Sequence, residues 1–480
     1  VQCHGVFDLL HIGHIKYFKE AASMGDVLVV TITPDKYVNK GPSRPSFTSG
    51  LRAEAIAALE MVDFVLVNSY PTAIEIINII KPDFYVKGPD YKNAEDDLTG
   101  NITLEENAVK SNGGKIAFTT DDTFSSSRLI NEHISPLKDD QKVFVEKLKS
   151  KYSIDEIKSY LDKLSSLRIL LVGEVIIDEY IFCDTIGKSG KEPILVTQRL
   201  FSEKYAGGIL AVANHISDFC DQGKIVSYIG DRDDHVEFLN SALDPAIKTS
   251  FISKKISPTI LKTRFIDNYS KTKTLGVYDI NDELLSESEE SRILNILEKE
   301  IPNYDAVIVT DYGHGLITPD IVKFLEINAK FLAVNTQINA SNIGYHTISK
   351  YSYADCICIH EGELRHDYRN RTDSVEILTQ KLHEKLKSDI TIITRGNSGS
   401  LVHRGNEFTT CPAYAGKIVD RVGAGDSLLA ISSLCFAADL PTDISIFLGN
   451  LAAAEKIATI GNKNKVTKVN LIRSLEALLK

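Results

Sequence analysis

The stretch Gly5-Val6-Phe7-Asp8-Leu9-Leu10-His11-Ile12-Gly13-His14 joins a predicted strand to a predicted helix. The apolar run before it ends a strand, and apolar residues recur at helical spacing from Ile15 onward. His11 and His14 therefore share one face of the helix start, where unpaired backbone N–H groups and the helix dipole favour phosphate. Two imidazoles there can hold a triphosphate and stabilise charge growing on its α-phosphorus. The plainer alternative is a helix start with two partly exposed histidines.

A second glycine turn lies far along the chain, at Asp420-Arg421-Val422-Gly423-Ala424-Gly425-Asp426. Glycines before an apolar helix let the backbone amides of Gly423, Ala424 and Gly425 approach a phosphate closely. Asp426 then stands at the helix start, where a carboxylate can take a proton from a substrate hydroxyl. The plainer alternative is that Asp426 is the N-cap of the helix.

Length and composition limit the classes of protein to consider. A chain of 480 residues is too long for one ordinary core, so two or three domains are expected. The net charge of −11 argues against a nucleic-acid partner. No apolar run approaches the roughly 20 residues of a membrane span, and no signal pattern is present. The seven scattered cysteines favour reduced thiols and a cytoplasmic location.

Alternating strand and helix patterns predict an α/β fold with parallel sheets. We predict a first α/β domain at 1–135, a helical linker at 136–165, and a second α/β domain at 166–480; the motifs described next imply a nucleotidyltransferase and a kinase, respectively. Capping boxes are expected at Thr72…Glu75, Thr103…Glu106 and Ser153…Glu156. The Pro-, Gly- and Lys-rich loop 33–49 is long enough for a functional flap. In the second domain, the segments 181–204 and 256–282 look β-rich and predict a small lid.

The N-terminal domain resembles the HxGH nucleotidyltransferase superfamily, especially the adenylyltransferase half of bifunctional heptose-phosphate enzymes and the glycerol-3-phosphate cytidylyltransferases. The motifs that carry the resemblance include Leu51-Arg52-Ala53-Glu54, Val86-Lys87-Gly88-Pro89-Asp90-Tyr91 and Ser125-Ser126-Ser127-Arg128. The resemblance implies a Rossmann-like fold in which His11, His14, Lys40 and Arg128 act on the triphosphate. It further implies nucleotide binding by Gly5, Phe7, Asp8, Lys87, Gly88, Asp90, Ser126 and Ser127. For Lys40 and Lys87 the plainer alternative is a solvated surface lysine, and Arg52 is alternatively a structural partner of the loop.

From residue 167 onward the chain resembles the ribokinase-like, PfkB-type sugar kinases. The motifs are Val172-Gly173-Glu174…Asp178, Gly207-Gly208, Asp311-Tyr312-Gly313-His314-Gly315, Thr394-Arg395-Gly396 and the Gly-Ala-Gly-Asp turn. The resemblance implies that Asp426 is the base and that Thr394, Arg395, Gly396, Gly423, Ala424 and Gly425 bind ATP. It implies sugar contacts from Asp178, Gly207, Gly208, Asn214 and Asp311, and a Mg²⁺-associated acid at Glu363. Ala211 and His360 replace the family's two asparagines, and His314 and His360 are expected to be ordinary polar residues.

These resemblances predict a bifunctional enzyme that phosphorylates a sugar or sugar phosphate with ATP and makes an NDP-activated sugar. The nucleotidyl donor is ATP or CTP, pyrophosphate is released, and Mg²⁺ shields charge. The heptose resemblance implies an ADP-heptose-like product for surface polysaccharide, although the domain order is reversed relative to the familiar heptose enzyme. The alternatives are a CTP-dependent CDP-polyol synthase, and an active transferase whose degenerate kinase domain serves in oligomerisation or sensing. A homodimer through the kinase lid is expected.

Overall fold

The computed structural model describes residues 1–38, 40, 44–89, 101–120, 137–232, 235–416 and 418–479. The chain divides into two compact units, Val1–Lys142 with Val469–Lys480, and Val143–Lys468. Each unit has its own largely parallel sheet, which confirms the predicted α/β class. The predicted domain boundaries stay a prediction. Among the described helices, none has the length and apolarity needed to cross a bilayer.

The first unit is built on a five-stranded parallel sheet in the order β3-β2-β1-β4-β5. Cys3, Val30 and Val86, on the three central strands, are fully buried, as expected for strands covered on both faces. The order reverses between β1 and β4, so their carboxyl ends border the crevice where ligands bind in such sheets. The elements are β1 (Gln2–Gly5), α1 (Ile12–Ala22), β2 (Val29–Ile32), α2 (Ser49–Ala57), β3 (Phe64–Val67), α3 (Ile74–Ile80), β4 (Phe84–Lys87), α4 (Asn101–Ser111) and β5 (Lys115–Phe118).

The segment expected to be helical consists of two helices, α5 (Asp139–Lys151) and α6 (Ile154–Leu164). Ser153 and Glu156 form the predicted capping box at the start of α6. In the second unit, the Phe144 ring packs against that of Phe447 with centroids 5.9 Å apart. The segment is therefore a packed part of the fold.

The second unit contains a nine-stranded sheet in the order β10-β9-β6-β13-β14-β15-β16-β17-β18. The strands pair in parallel from β10 to β16, and β17 and β18 close the edge antiparallel. The strands are β6 (Arg168–Gly173), β9 (Gln222–Gly230), β10 (Ile247–Lys254), β13 (Ala306–Asp311), β14 (Leu332–Thr336), β15 (Cys356–His360), β16 (Ile390–Thr394), β17 (Ser400–Arg404) and β18 (Glu407–Cys411). The helices of this unit are α7 (Ile209–Ile216), α8 (Val236–Ala242), α9 (Glu287–Glu300), α10 (Pro319–Asn328), α11 (Glu361–Asp367), α12 (Val375–Lys385), α13 (Ala424–Ala437) and α14 (Thr442–Ile457). The last described helix, α15 (Lys468–Leu479), belongs to the first unit from Val469 onward.

A separate four-stranded sheet forms the predicted β lid, in the order β12-β11-β7-β8. Its strands are β7 (Val175–Lys188), β8 (Leu195–Gly208), β11 (Ile260–Asp267) and β12 (Lys273–Asp279). β7 begins earlier than the predicted β-rich segment 181–204, so Asp178 also lies on a lid strand. All of β12 is exposed.

Candidate active sites

The first candidate site lies at the reversal of strand order in the N-terminal sheet. β1 ends at Gly5 and β4 ends at Lys87, and the two strands are parallel neighbours. The loop after β1 carries the histidine pair, so His11, His14 and Lys87 follow two strands that end at the same edge. This edge is the position expected for a nucleotide.

The two histidines lie at the start of α1 in direct contact. His11 is the N-cap residue, and its Nδ1 accepts a hydrogen bond from the Gly13 N–H at 3.1 Å. Its ring stacks on that of His14 with centroids 3.9 Å apart. Burial lowers the pKa of His14 to about 3, with His11 and Lys40 adding to the shift, and burial also lowers the pKa of His11. Without nucleotide both rings are therefore neutral at pH 7, and they offer hydrogen bonds and not positive charge.

Phe7 packs directly behind His14. Its ring meets the His14 ring edge-on with centroids 5.3 Å apart, and it packs on Phe18 at 5.0 Å. A Cβ atom at Gly5 would lie 2.8 Å from the Phe7 ring, so a glycine is required there. Gly5 and Phe7 thus support the histidine, and their contact with nucleotide stays a prediction.

Asp8 holds the loop that follows β2. One carboxylate oxygen accepts the backbone N–H groups of Ser46 and Phe47 at 2.7 and 3.0 Å, and the other accepts from Arg44 at 3.3 Å. Asp8 and Arg44 are both nearly inaccessible to solvent. The carboxylate predicted to face the nucleotide therefore already anchors the loop.

Arg52 fixes the two ends of the same loop. Its guanidinium donates to the carbonyl oxygens of Thr33 and Phe47, each at 2.9 Å, to the Val6 carbonyl, and to the Asp35 carboxylate at 2.6 Å. The expectation that Arg52 is a structural partner of the loop is confirmed.

The remaining predicted residues of this site differ in burial. Lys87 is 7% exposed and pairs with Glu105 at 2.7 Å, so it is not a solvated surface lysine. Lys40 is exposed, and its charge contributes to the lowered pKa of His14. A side chain at Gly88 would meet open space. The other predicted residues, Asp90, Ser126, Ser127 and Arg128, lie outside the described part of the chain.

The second candidate site centres on Asp426. Gly423, with φ of +84°, is the N-cap of α13, so the alternative that Asp426 caps the helix is wrong. The Asp426 carboxylate instead accepts hydrogen bonds from the Tyr312 hydroxyl at 3.1 Å and the Gln337 amide at 3.0 Å. Burial, together with the charge of Asp178, raises the pKa of Asp426 to about 6. The group is therefore an ionised carboxylate at neutral pH whose proton affinity suits a general base.

The glycine turn leaves room for a ligand above α13. A side chain at Gly425 would meet open space, whereas one at Gly423 would collide with Asn462. Ala424 and Gly425 form the first turn of the helix, where backbone N–H groups have no intrahelical partner. The predicted anion-binding turn is thus open on the side of Gly425.

Asp178 and the Gly207–Gly208 pair meet on two paired lid strands, β7 and β8. A Cβ atom at Gly207 would collide with the Asp178 carboxylate, so the carboxylate lies directly over the glycine backbone. Asp178 is ion-paired with Arg264 of β11. Lys262, two residues earlier, is 8% exposed and lies 5.9 Å from the centre of the Tyr312 ring.

Two other predicted sugar-binding residues have their polar groups engaged within the protein. Asn214 bridges the end of α8, donating to the Ala242 carbonyl at 2.8 Å and accepting from the Asp244 N–H at 2.9 Å. Asp311 is 1% exposed, ion-paired with Lys350, and accepts the Tyr351 hydroxyl at 2.9 Å. Their contact with a sugar stays a prediction.

Glu174 fixes the turn after β13. It is fully buried and accepts the N–H groups of Tyr312 and His314 at 3.0 and 3.1 Å. Burial raises the pKa of Glu174 to about 7, and the nearby Asp311 adds to the shift. Glu174 therefore helps to aim the Tyr312 hydroxyl at Asp426.

On the side predicted for ATP, Thr394, Arg395 and Gly396 follow β16 in a turn toward β17. Arg395 pairs with Glu361 at 3.3 Å, and Gly396 has a positive φ of +55°. The turn is ordered by its own contacts, and ATP binding there stays a prediction.

Glu363 lies in the first turn of α11. Its two carboxylate oxygens accept the N–H groups of Ile338 at 3.0 Å and His360 at 2.7 Å. Burial raises the pKa of Glu363 to about 7, and Asp426 adds to the shift. Over the residues that the structure describes, no cluster of three or more metal-binding side chains is found. His360 is the N-cap of α11 and His314 pairs with Asp282 at 2.6 Å, so both are polar residues with local partners, as expected.

Sequence reasoning missed several residues around Asp426. Tyr312 and Gln337 donate hydrogen bonds to it, and Lys262 and Arg264 place positive charge beside Asp178. A sequence pattern could have identified Lys262 and Arg264, because basic residues alternate along this predicted lid strand. Nothing local in the sequence marks Gln337, because its role depends on the packing of β14 beside α13.

The chain is similar to known proteins in both domains. Residues 166–468 match the model of the pfkB family of carbohydrate kinases, and residues 3–133 match a model described as cytidylyltransferase-like. The bifunctional protein HldE of Campylobacter jejuni is 27% identical over 299 residues, which are 62% of each chain. HldE of Syntrophotalea carbinolica is 39% identical over 115 residues, covering 24% of this chain and 22% of that one.

A solved structure supports the ribokinase-like fold. Phosphofructokinase-2 of Escherichia coli, in complex with substrates and products, matches 65% of this chain and all of its own, with a TM-score of 0.54 and 14% identity. The chain spans 62% of the length of its Campylobacter jejuni relative. Since the pfkB match extends over more than half of the sequence, the chain belongs to the pfkB family of carbohydrate kinases and carries a cytidylyltransferase-like domain ahead of its kinase domain.

Proposed function

We propose that the chain is a bifunctional transferase. Its kinase domain phosphorylates a sugar or sugar phosphate with ATP. Its N-terminal domain transfers a nucleotidyl group from ATP or CTP to a sugar phosphate, releasing pyrophosphate and an NDP-activated sugar. The observation that carries the proposal is Asp426, a buried carboxylate with a raised pKa held beside an open glycine turn.

In the kinase reaction Asp426 accepts the proton of the acceptor hydroxyl as that oxygen attacks the γ-phosphorus of ATP. Tyr312 and Gln337 hold the carboxylate through two hydrogen bonds to one of its oxygens. The N–H groups of the Gly423–Gly425 turn stabilise charge on the transferred phosphoryl group. Asp178 and Arg264 orient the sugar.

The charge beside Asp178 supports a phosphorylated acceptor. Within the described residues, the Lys262 side chain forms no ion pair or hydrogen bond, although the residue is 8% exposed and burial lowers its pKa. A buried ammonium without an anionic contact is costly. An acceptor phosphate would supply that contact, which favours a sugar phosphate over a neutral sugar.

In the transferase reaction a phosphomonoester oxygen of the sugar phosphate attacks the α-phosphorus of the nucleotide. His11 and His14 donate hydrogen bonds to the triphosphate from the start of α1, and Lys40 adds positive charge. The neutral rings found without nucleotide gain protons more readily once a triphosphate lies beside them. Arg128, Ser126 and Ser127 complete the site in this proposal.

Mg²⁺ is expected with both nucleotides. Magnesium takes oxygen ligands and is commonly held by one or two carboxylates together with substrate phosphates. Glu363 fits this role in charge and ligand type, since each of its oxygens keeps a lone pair after accepting one backbone N–H. When bound, the ion neutralises charge on the phosphates.

We further propose a cytoplasmic homodimer that acts in making precursors of surface polysaccharide, as the resemblance to the bifunctional heptose-phosphate enzymes implies. The free state of all seven cysteines agrees with a reducing compartment. The lid exposes Leu195, Phe201, Leu275 and Val277 to solvent, and a second copy would cover them. Light scattering of the full chain measures the oligomeric state, and a monomer would contradict the dimer.

The activities are tested by mass spectrometry of the full chain with Mg²⁺, a nucleotide and a panel of sugars and sugar phosphates that includes heptose phosphates. ATP carrying ¹⁸O in its γ-phosphate labels every phosphate that the kinase adds. The transferred nucleotidyl group stays unlabelled, so an unlabelled NDP-activated sugar comes from a supplied sugar phosphate and a labelled one from the kinase product. Asp426→Asn serves as the kinase control and His14→Ala as the transferase control. Absence of both a labelled acceptor and pyrophosphate across the panel would contradict the proposal.

A further inference from the structure

Lys456 is a buried lysine near the end of α14. It is 2% exposed, in a helix whose other buried residues are mostly apolar. Lysines are rarely buried so fully unless their charge has a function or a partner. Its Nζ donates a hydrogen bond to the Gly461 carbonyl.

The backbone of Gly461 connects Lys456 to Asp420, the residue at which the stretch with the glycine turn begins. Its N–H donates to the Asp420 carboxylate at 3.1 Å, while the other oxygen of Asp420 accepts the Val422 N–H at 3.1 Å. Asp420 thus accepts the N–H groups of Gly461 and Val422, and Lys456 binds the carbonyl oxygen of the same residue, Gly461.

Lys456 also touches the turn itself. A Cβ atom at Gly423 would lie 3.0 Å from the lysine Cε, so the side chain passes directly under the residue that begins α13. Asp420, Asp426 and Asp178 all stabilise its charged form. The ammonium therefore lies next to the glycine turn, in a field of three carboxylates that stabilise its charge.

We propose that Lys456 is a positioning residue of the kinase site, a built-in cation that fixes the Gly423–Gly425 turn and offsets negative charge beneath it. The proposal rests on the proposed kinase activity. A turn surrounded by carboxylates repels phosphate unless a positive charge lies nearby. Because this chain carries that charge on a side chain, its kinase reaction needs no added monovalent cation.

The charges around Lys456 also predict a pH dependence. Burial lowers its pKa to about 8, Asp420, Asp426 and Asp178 oppose the shift, and Lys273 adds to it. The neighbouring His215 has a pKa lowered to about 3 and stays neutral in the relevant range. The wild-type kcat should therefore fall as pH rises through about 8, when Lys456 loses its proton.

The test measures kcat and KM of the full chain in a tetramethylammonium buffer, with and without added ammonium or potassium chloride. Lys456→Ala removes the charge and leaves space, whereas Lys456→Met removes the charge and fills the space. We expect wild-type turnover to be insensitive to the added salts. Both variants should lose on the order of 10²-fold in kcat, with smaller changes in the KM for ATP. Ammonium should restore at least tenfold to Lys456→Ala and little to Lys456→Met.

Several outcomes would overturn the inference: wild-type activity that requires an added cation, a Lys456→Met kcat within twofold of wild type, or an unchanged alkaline limb in that variant. Melting temperatures show whether the variants fold. If they do not, the cation response and alkaline limb of the wild type decide the question. No phosphorylation by the wild type contradicts the proposed kinase itself, whereas an active wild type with unaffected variants contradicts only the role of Lys456.

Discussion

The two candidate sites use burial in opposite ways. In the N-terminal site burial lowers the pKa of His14 to about 3, which leaves the ring neutral at pH 7. In the kinase site burial raises the pKa of Asp426 only to about 6, which leaves the carboxylate charged. One site therefore gains its charge from the nucleotide and from the exposed Lys40, and the other holds its reactive charge in advance. We therefore expect a mutation in one site to lower the activity of that site and to leave the activity of the other site unchanged.

The largest effect is expected for Asp426→Asn. The amide cannot accept the hydroxyl proton, and loss of a positioned general base costs roughly 10²–10⁴ in rate. The change is nearly isosteric, and the backbone N–H groups of the turn do not depend on the carboxylate, so ATP affinity should be kept. Calorimetry measures the affinity and a coupled ADP assay measures turnover. Unchanged turnover would show that Asp426 has only a structural role. Loss of nucleotidyl transfer in this variant would contradict the expectation that the two sites act independently.

His14→Ala should lower nucleotidyl transfer by about 10²-fold or more, the usual effect of losing one stabilising contact to developing charge. Phosphorylation by the kinase domain is the internal control and should be unchanged. Pyrophosphate release measures the first activity. Since His14 also packs on Phe7, His14→Gln keeps a polar side chain and tests whether packing alone explains a loss. Near-normal pyrophosphate release in both variants would contradict the assignment.

The pH profile sharpens the contrast from the kinase side. Asp426 must be ionised to act as a base, and its raised pKa of about 6 places the acid limb there. Below that pH, kcat should fall about tenfold per unit, because the ionised fraction of Asp426 falls by that factor. Residual turnover of Asp426→Asn should lack this limb. A wild-type limb near pH 4 would show that the carboxylate is not buried during turnover.

The fold class and the motifs of both candidate sites could be predicted from the sequence, because glycine turns and strand–helix alternation are local patterns. The strands Val29–Ile32 and Ala306–Asp311 each coincide with a short, mainly apolar run of the sequence. The capping box Ser153…Glu156 is confirmed, but Thr103 lies inside α4 (Asn101–Ser111), so the box predicted there is wrong. A capping pattern inside a helix carries no positional information, and only the neighbouring chain fixes where the helix begins.

The partners of the reactive groups were harder to predict. Gln337 directly follows β14 and is far from Asp426 in the chain, and no local pattern marks the hydrogen bond between them. Asp8 was expected to face the nucleotide, yet it holds the loop through Ser46 and Phe47. Sequence spacing identifies which residues start a helix or end a strand. It does not say which of them the fold uses to hold its own backbone.

The smallest effect is expected for Asn214→Ala, and it tests which predicted sugar residues belong to the scaffold. Asn214 uses its amide to bridge Ala242 and Asp244, so the alanine variant should lose about 1–3 kcal/mol of stability from the unpaired backbone groups. Its KM for the acceptor should stay within about twofold, since both polar atoms already have partners. Thermal melting measures the first quantity and steady-state kinetics the second. Asp178→Asn is the matched comparison, because Asp178 lies over the Gly207 backbone beside Lys262. This substitution should raise the KM for the acceptor at least tenfold. If Asn214→Ala raised the acceptor KM as much as Asp178→Asn does, Asn214 would have to turn toward the sugar during turnover, and the kinase site would be less preassembled than its buried charges indicate.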